Sequence, residues 1–142
     1  RQRLADGDVA RVAAKLGRTY ALSGPVNPGD GRGRTIGIPT ANVEVPSDKA
    51  LPANGVYACY AWVDGQKHKA VTNIGVRPTF TSGEQLQRVE AHLLDANADY
   101  YGKNMRLEFV ERLRGEQKFP SVDALVSQIH ADIDAARTIL LP

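Results

Sequence analysis

The sequence is poor in the features that would announce a secreted, membrane-spanning or nucleic-acid-binding chain. It has one cysteine, Cys59, which excludes an internal disulfide and a CxxC metal site. No apolar run approaches the roughly 18 residues needed to span a bilayer. No charged segment followed by an apolar one opens the chain, so no signal peptide is visible. Net charge is small, with 18 basic residues against 16 acidic ones. That balance gives no general basic footprint for nucleic acid. Internal repeats and low-complexity tracts are missing too.

What remains is ordinary globular material. The 142 residues amount to one domain, and 42% hydrophobic with 24% charged residues leaves no room for bulk disorder. A reducing, cytoplasmic setting is the expectation. The basic residues are unevenly spread. Arg1, Arg3, Arg11, Lys15 and Arg18 crowd the start, and Arg32 and Arg34 lie in a glycine-rich stretch.

Hydrophobic spacing divides the chain in three. Val9, Val12, Ala13 and Leu16 recur at helical intervals, so residues 1–17 are expected to form a short leading helix. Short β-type runs then follow between turn clusters: Tyr20–Gly24, Ala41–Val45, Gly55–Val63, Lys67–Ile74, Arg88–Asp95 and Asn104–Leu113. Asp64-Gly65 joins the third and fourth as a two-residue hairpin. With no helical pattern between them, such runs predict a closed or nearly closed antiparallel barrel. After Pro120, Ser121 is a natural helix cap. Val122, Leu125, Val126, Ile129, Ile133 and Ala136 then keep helical spacing, which predicts a closing helix packed on the barrel. Tyr57, Tyr60 and Trp62 are expected to pack in the core and at the barrel end, and Cys59 to be a small buried hydrophobe.

Four segments can carry chemistry. Gly29, Gly31, Gly33 and Gly37, with Arg32 and Arg34 among them, suit a backbone cradle for phosphate. The loop is neither a Walker A sequence nor a Rossmann fingerprint. Read alone, it is equally a solvated surface loop. In Ile38-Pro39-Thr40-Ala41-Asn42, proline stiffens a turn, and the spacing puts Thr40 and Asn42 on one face. Hydroxyl and amide oxygens are hard ligands that suit Mg²⁺, or they bond the local backbone. Alternation places Glu90, His92 and Leu94 opposite Val89, Ala91 and Leu93. A fixed carboxylate at Glu90 could take a proton from an attacking hydroxyl, or it could simply be solvated. His68 and His130 have no partner at ligand spacing. Finally, Leu113-Arg114-Gly115-Glu116-Gln117-Lys118-Phe119-Pro120 is a linker able to close over a flat ligand, or one whose Phe119 staples the helix start.

Together these segments resemble a known family. G-D-G-R-G-R-T-I-G-I-P-T-A-N, L-P-A-N-G-V-Y-A, N-I-G-V-R-P-T-F, V-E-A-H-L-L-D, Y-G and L-R-G-E-Q-K-F occur in the order found in riboflavin kinases. The opening, R-x-x-L-x-x-G-D-V-x-x-A-x-x-L-G-R, is similar to the tail of the adenylyltransferase module in bifunctional riboflavin kinase/FMN adenylyltransferases (FAD synthetases). The resemblance implies that residues 1–17 are interdomain linker and that 18–142 form a kinase module, cut from a longer polypeptide. It implies a six-stranded antiparallel Greek-key barrel and phosphorylation of the riboflavin 5′-hydroxyl by ATP. Thr40 and Asn42 would hold Mg²⁺ and the nucleotide phosphates, and Glu90 would be the base. Gly29, Gly31, Gly33 and Arg34 would cover the phosphates. Leu93, Asp95 and Tyr101 would contact ATP, and Arg114, Glu116 and Phe119 the flavin. Ile38 and Ala96 depart from the family pattern, which often has aromatic residues there. The competing readings are a barrel that binds flavin or nucleotide without turnover, an oligonucleotide-binding barrel and a flavin-dependent oxidoreductase. No membrane or nucleic-acid partner is expected.

Overall fold

In the computed structural model, residues 20–27, 38–45, 51–78, 85–96 and 100–140 are described. The expected leading helix and the glycine-rich segment 29–37 lie outside them. Six strands form: β1 (Tyr20–Asn27), β2 (Ala41–Val43), β3 (Gly55–Val63), β4 (Gln66–Pro78), β5 (Gln85–Leu93) and β6 (Asn104–Arg114). One helix follows, α1 (Val122–Ile139). The strands close into an antiparallel barrel in the order β1-β2-β5-β4-β3-β6. Strands β3, β4 and β5 form a meander. Strand β2 lies beside β5 and β6 beside β3, so two Greek keys overlap on that meander.

Local chemistry sets the corners. Asp64 and Gly65 both take positive φ (53° and 74°), the conformation of a two-residue hairpin whose twist matches its strands. Strand β1 runs past Gly24 through Pro25 to Asn27, because the Pro25 carbonyl accepts from the Glu44 amide at 2.9 Å. Gly24 makes that approach feasible. A Cβ there would stand 1.6 Å from the Glu44 carbonyl oxygen.

Alternation then sorts the side chains. Val26, Val43, Val89 and Ile74 lie opposite one another around the barrel and fill its interior with Tyr57, Met105, Leu107 and Phe109. Tyr57 meets Phe109 edge-on at 5.3 Å and donates its hydroxyl to the Ala53 carbonyl. Cys59 is fully buried, and desolvation pushes its thiol up to about 12. On the outer wall a second apolar cluster, Val56, Ala58, Val71 and Leu94, is covered by Ala136 and Leu140 at the end of the helix. Ser121 caps that helix by accepting from the Ala124 amide at 3.1 Å.

Two expectations are corrected. Trp62 is 37% exposed rather than core, because the β3 alternation that buries Tyr57 and Cys59 turns Tyr60 and Trp62 outward. Its indole N–H donates to Glu108 at 2.7 Å. Val122 keeps helical spacing but is 59% exposed, since it stands in the first turn, beyond the barrel wall that the helix covers.

Candidate active site

One rung of the barrel carries the polar residues. Asn27 pairs with Asn42, Asn42 with Glu90, and Glu90 with Asn73, across β1, β2, β5 and β4. Residues directly opposite on antiparallel strands share a face. The neighbouring rung of Val26, Val43, Val89 and Ile74 fills the interior, so this one faces outward. Thr40 stands just before β2, at the stiff Pro39 corner.

The Glu90 carboxylate is held from two sides. Thr40 donates its hydroxyl to Oε2 at 3.2 Å, and Arg88 donates from Nη1 to Oε1 at 3.0 Å. The Arg88 and Glu90 side chains are only 21% and 20% exposed, so the pair is partly shielded from water. His92, two residues along the same face, lies with Nδ1 2.8 Å from the Pro39 carbonyl. A carbonyl only accepts, so Nδ1 carries the proton and the ring braces the proline corner. Asn42 donates from Nδ2 to Asn27 Oδ1 at 2.6 Å, and Asn27 donates in turn to Glu44 Oε1 at 2.6 Å.

The remaining expected residues fall into two groups. Leu93 is buried inside the barrel, and Tyr101 packs against the same core beside Gly102, whose amide bonds the Val26 carbonyl. Asp95 follows the end of β5 in a left-handed conformation (φ 61°). Arg137 grips its carboxylate at 2.8 and 2.9 Å and holds it below the ordinary aspartate range. These three gather at the barrel end from which β1 leads into the glycine-rich segment. Gly29, Gly31, Gly33 and Arg34 themselves lie outside the described residues.

The second group stands at the junction of β6 and α1. Arg114 holds Asp132 of the helix through Nε and Nη2 at 2.9–3.1 Å, and it donates from Nη1 to the Gly115 carbonyl at 3.2 Å. Its guanidinium carbon lies 5.6 Å from the centre of the Phe119 ring. Glu116 reaches back over the barrel wall. A Cβ on Gly75 would stand 2.8 Å from its Oε1 and 3.8 Å from Asn73 Nδ2. Gly75 lies opposite Arg88 and Asn73 opposite Glu90, so the linker residue Glu116 approaches the Glu90 wall.

Sequence reasoning missed Asn27, Glu44, Asn73, Arg88 and Asp132. Asp132 left a readable signal, an acid inside the apolar stripe of Ile129, Ile133 and Ala136. A buried carboxylate calls for a cation. Arg88 was readable too, since it stands two residues before Glu90 on the same strand face. Asn27, Glu44 and Asn73 depend on which strands pair. Among the described residues no cluster of three or more His, Cys, Asp or Glu suits a metal ion. No helix there is long and apolar enough to cross a membrane.

Residues 16–140 match the family model described as "Flavokinase: Riboflavin kinase". Curated relatives named bifunctional riboflavin kinase/FMN adenylyltransferase include those of Bacillus subtilis (41% identity, 93% of this chain and 42% of the relative) and Escherichia coli K12 (43%, 96% and 43%). The Pseudomonas fluorescens relative is 39% identical over all of this chain and 45% of its own length. The chain thus spans less than half the length of these relatives. A Streptococcus pneumoniae structure described as a macrolide-efflux protein superposes with a TM-score of 0.89 at 37% identity, over 96% of this chain and 44% of that one. The fold is also that of riboflavin kinase from Trypanosoma brucei, with a TM-score of 0.61 at 23% identity over 84% and 76% of the two chains. With the family model covering all but the chain's two ends, this chain belongs to the riboflavin kinase family.

Proposed function

We propose that this chain phosphorylates riboflavin at its ribityl 5′-hydroxyl with ATP, giving FMN and ADP. The observation that carries the reading is the meeting of Thr40 and Glu90, 50 residues apart in sequence, with Asn42 directly opposite Glu90. Phosphoryl transfer needs mainly positioning and charge stabilisation, together with a group to take the hydroxyl proton. Glu90 supplies that group. Its Oε1 is held by Arg88, which aims the carboxylate and leaves Oε2 on the Thr40 side. The 5′-oxygen attacks the γ-phosphorus as its proton passes to Glu90, and the bond from that phosphorus to the bridging oxygen of ADP breaks.

The donor set at the Thr40 corner suits Mg²⁺. Thr40 spends its proton on Glu90, which leaves its oxygen lone pairs available. Asn42 spends its N–H on Asn27, which leaves its Oδ1 available. Two hard oxygens, with water and phosphate oxygens completing the shell, are how Mg²⁺ is commonly held. When bound, the ion neutralises charge on the phosphates. The glycine-rich segment joins Asn27 to this corner, so Gly29, Gly31, Gly33 and Arg34 are assigned to the phosphates. Leu93, Asp95 and Tyr101 are assigned to the nucleotide, and Arg114, Glu116 and Phe119 to the isoalloxazine side. In a longer parent protein the partner module would be an FMN adenylyltransferase, which consumes the FMN made here, and the setting would be the cytoplasm.

Incubating the chain with riboflavin and MgATP, then separating the flavins by chromatography, tests the reading. FMN and ADP should appear in equal amounts. Tight binding of riboflavin and nucleotide without FMN would make the barrel a binding module instead.

A further inference from the structure

We infer that Glu44 and Asn27 are positioning residues that set which way the Asn42 amide faces. The inference rests on the assignment of Asn42 to the magnesium-phosphate corner and goes beyond it. An asparagine amide has a donor end and an acceptor end, and only the acceptor end serves a cation. Nothing in Asn42 itself selects that end. The selection comes from a chain of three side chains. A carboxylate accepts and cannot donate, so Glu44 Oε1 at 2.6 Å must face the Asn27 amide nitrogen. Asn27 Oδ1 is then turned the other way, and at 2.6 Å it must meet a donor, which is Asn42 Nδ2. Asn42 Oδ1 is left as the outward group, and among the described residues no donor meets it.

The backbone keeps the chain of bonds in place. Asn27 and Asn42 are register partners, and the Glu44 amide bonds the Pro25 carbonyl at 2.9 Å. The close contact of the Glu44 carbonyl with Gly24 fixes the exit of β2 from which the Glu44 side chain springs. The polarity of the corner therefore originates at an exposed acid that need not touch either substrate.

The test compares Glu44→Ala, which removes the terminal acceptor, with Glu44→Gln, which keeps an oxygen able to accept. The first readout is the side-chain amide signals of Asn27 and Asn42 in ¹⁵N-labelled protein without ligands. Both should shift in Glu44→Ala and stay near parent positions in Glu44→Gln, while backbone signals remote from β1 and β2 remain unchanged. The second readout is calorimetric. MgADP affinity should fall about tenfold in Glu44→Ala, the scale of one lost hydrogen bond, with metal-free ADP unaffected and Glu44→Gln near parent. Glu44→Ala in an Asn42→Ala background should weaken MgADP no further. Unmoved Asn42 amide signals in Glu44→Ala would overturn the inference. Amide signals that move as expected, with MgADP affinity indifferent to Asn42→Ala, would support the relay and remove the metal-holding role from Asn42.

Discussion

Replacing Asp132 by Asn should loosen the junction between the barrel and its helix, and the size of the effect follows from burial. The Asp132 side chain is 5% exposed and that of Arg114 19%. Arg114 reaches the carboxylate with bonds of 2.9–3.1 Å, and Gln128 adds a fourth at 3.0 Å. Breaking a buried pair by neutralising one partner typically costs about 3–5 kcal/mol, whereas an exposed pair contributes about 0–1 kcal/mol. Asparagine keeps the shape and one acceptor, and the residual exposure of Arg114 lets water return. The expected loss is therefore about 2–4 kcal/mol. For a domain of this size that lowers Tm by roughly 6–20 °C. Urea unfolding followed by circular dichroism measures it. Arg114→Met with Asp132→Leu should recover much of the loss, because a packed apolar pair escapes the desolvation cost. The single variant should also weaken riboflavin binding, since Arg114 carries the linker through Gly115 and faces Phe119. A loss below 1 kcal/mol would refute the view that this pair anchors the helix.

Gly24→Ala should cost about 1–3 kcal/mol in urea unfolding, because the added methyl collides with the Glu44 carbonyl and must push β2 away. Parent-like stability would mean that β2 does not approach β1 so closely. Cys59 should resist iodoacetamide in the native state between pH 7 and 9. Its thiol is pushed up to about 12 by burial, so the reactive thiolate is scarce throughout that range, whereas in urea it should react readily. Fast native alkylation would contradict the closed interior. Thr40→Val keeps the branched shape and removes the hydroxyl. It should raise the magnesium concentration needed for half-maximal rate about tenfold, read by titrating Mg²⁺ at fixed ATP. An unchanged requirement would take Thr40 out of the corner.

Local chemistry was legible in the sequence wherever neighbours in the chain decide the outcome. The Asp64-Gly65 hairpin, the Ser121 cap and the shared face of Glu90 and His92 all depend on residues within a few positions. Trp62 was misplaced because an apolar run gives no sign of which alternate residues face inward. Val122 was misplaced because helical spacing does not say where the covering wall stops. The support around the site was illegible for a deeper reason. Asn27 meets Asn42 across 15 residues, Arg114 meets Asp132 across 18 and Thr40 meets Glu90 across 50. Only the closing of the barrel brings such residues together. The family resemblance named Thr40, Asn42 and Glu90. The structure adds that Asn42 and Glu90 are direct cross-strand partners and that Glu44 and Arg88 stand behind them.

Single-turnover conversion of riboflavin to FMN by Glu90→Gln, with MgADP affinity measured on the same sample, tests the central claim most directly. Glutamine keeps the size and one acceptor oxygen, which can face Thr40 or Arg88 but not both, and it is a far poorer proton acceptor. The rate should fall by about 10²–10⁴ with MgADP affinity within threefold of the parent, since the lost group acts on the hydroxyl rather than on the nucleotide. Turnover near the parent rate would remove Glu90 as the base and with it the proposed chemistry of the Thr40 corner.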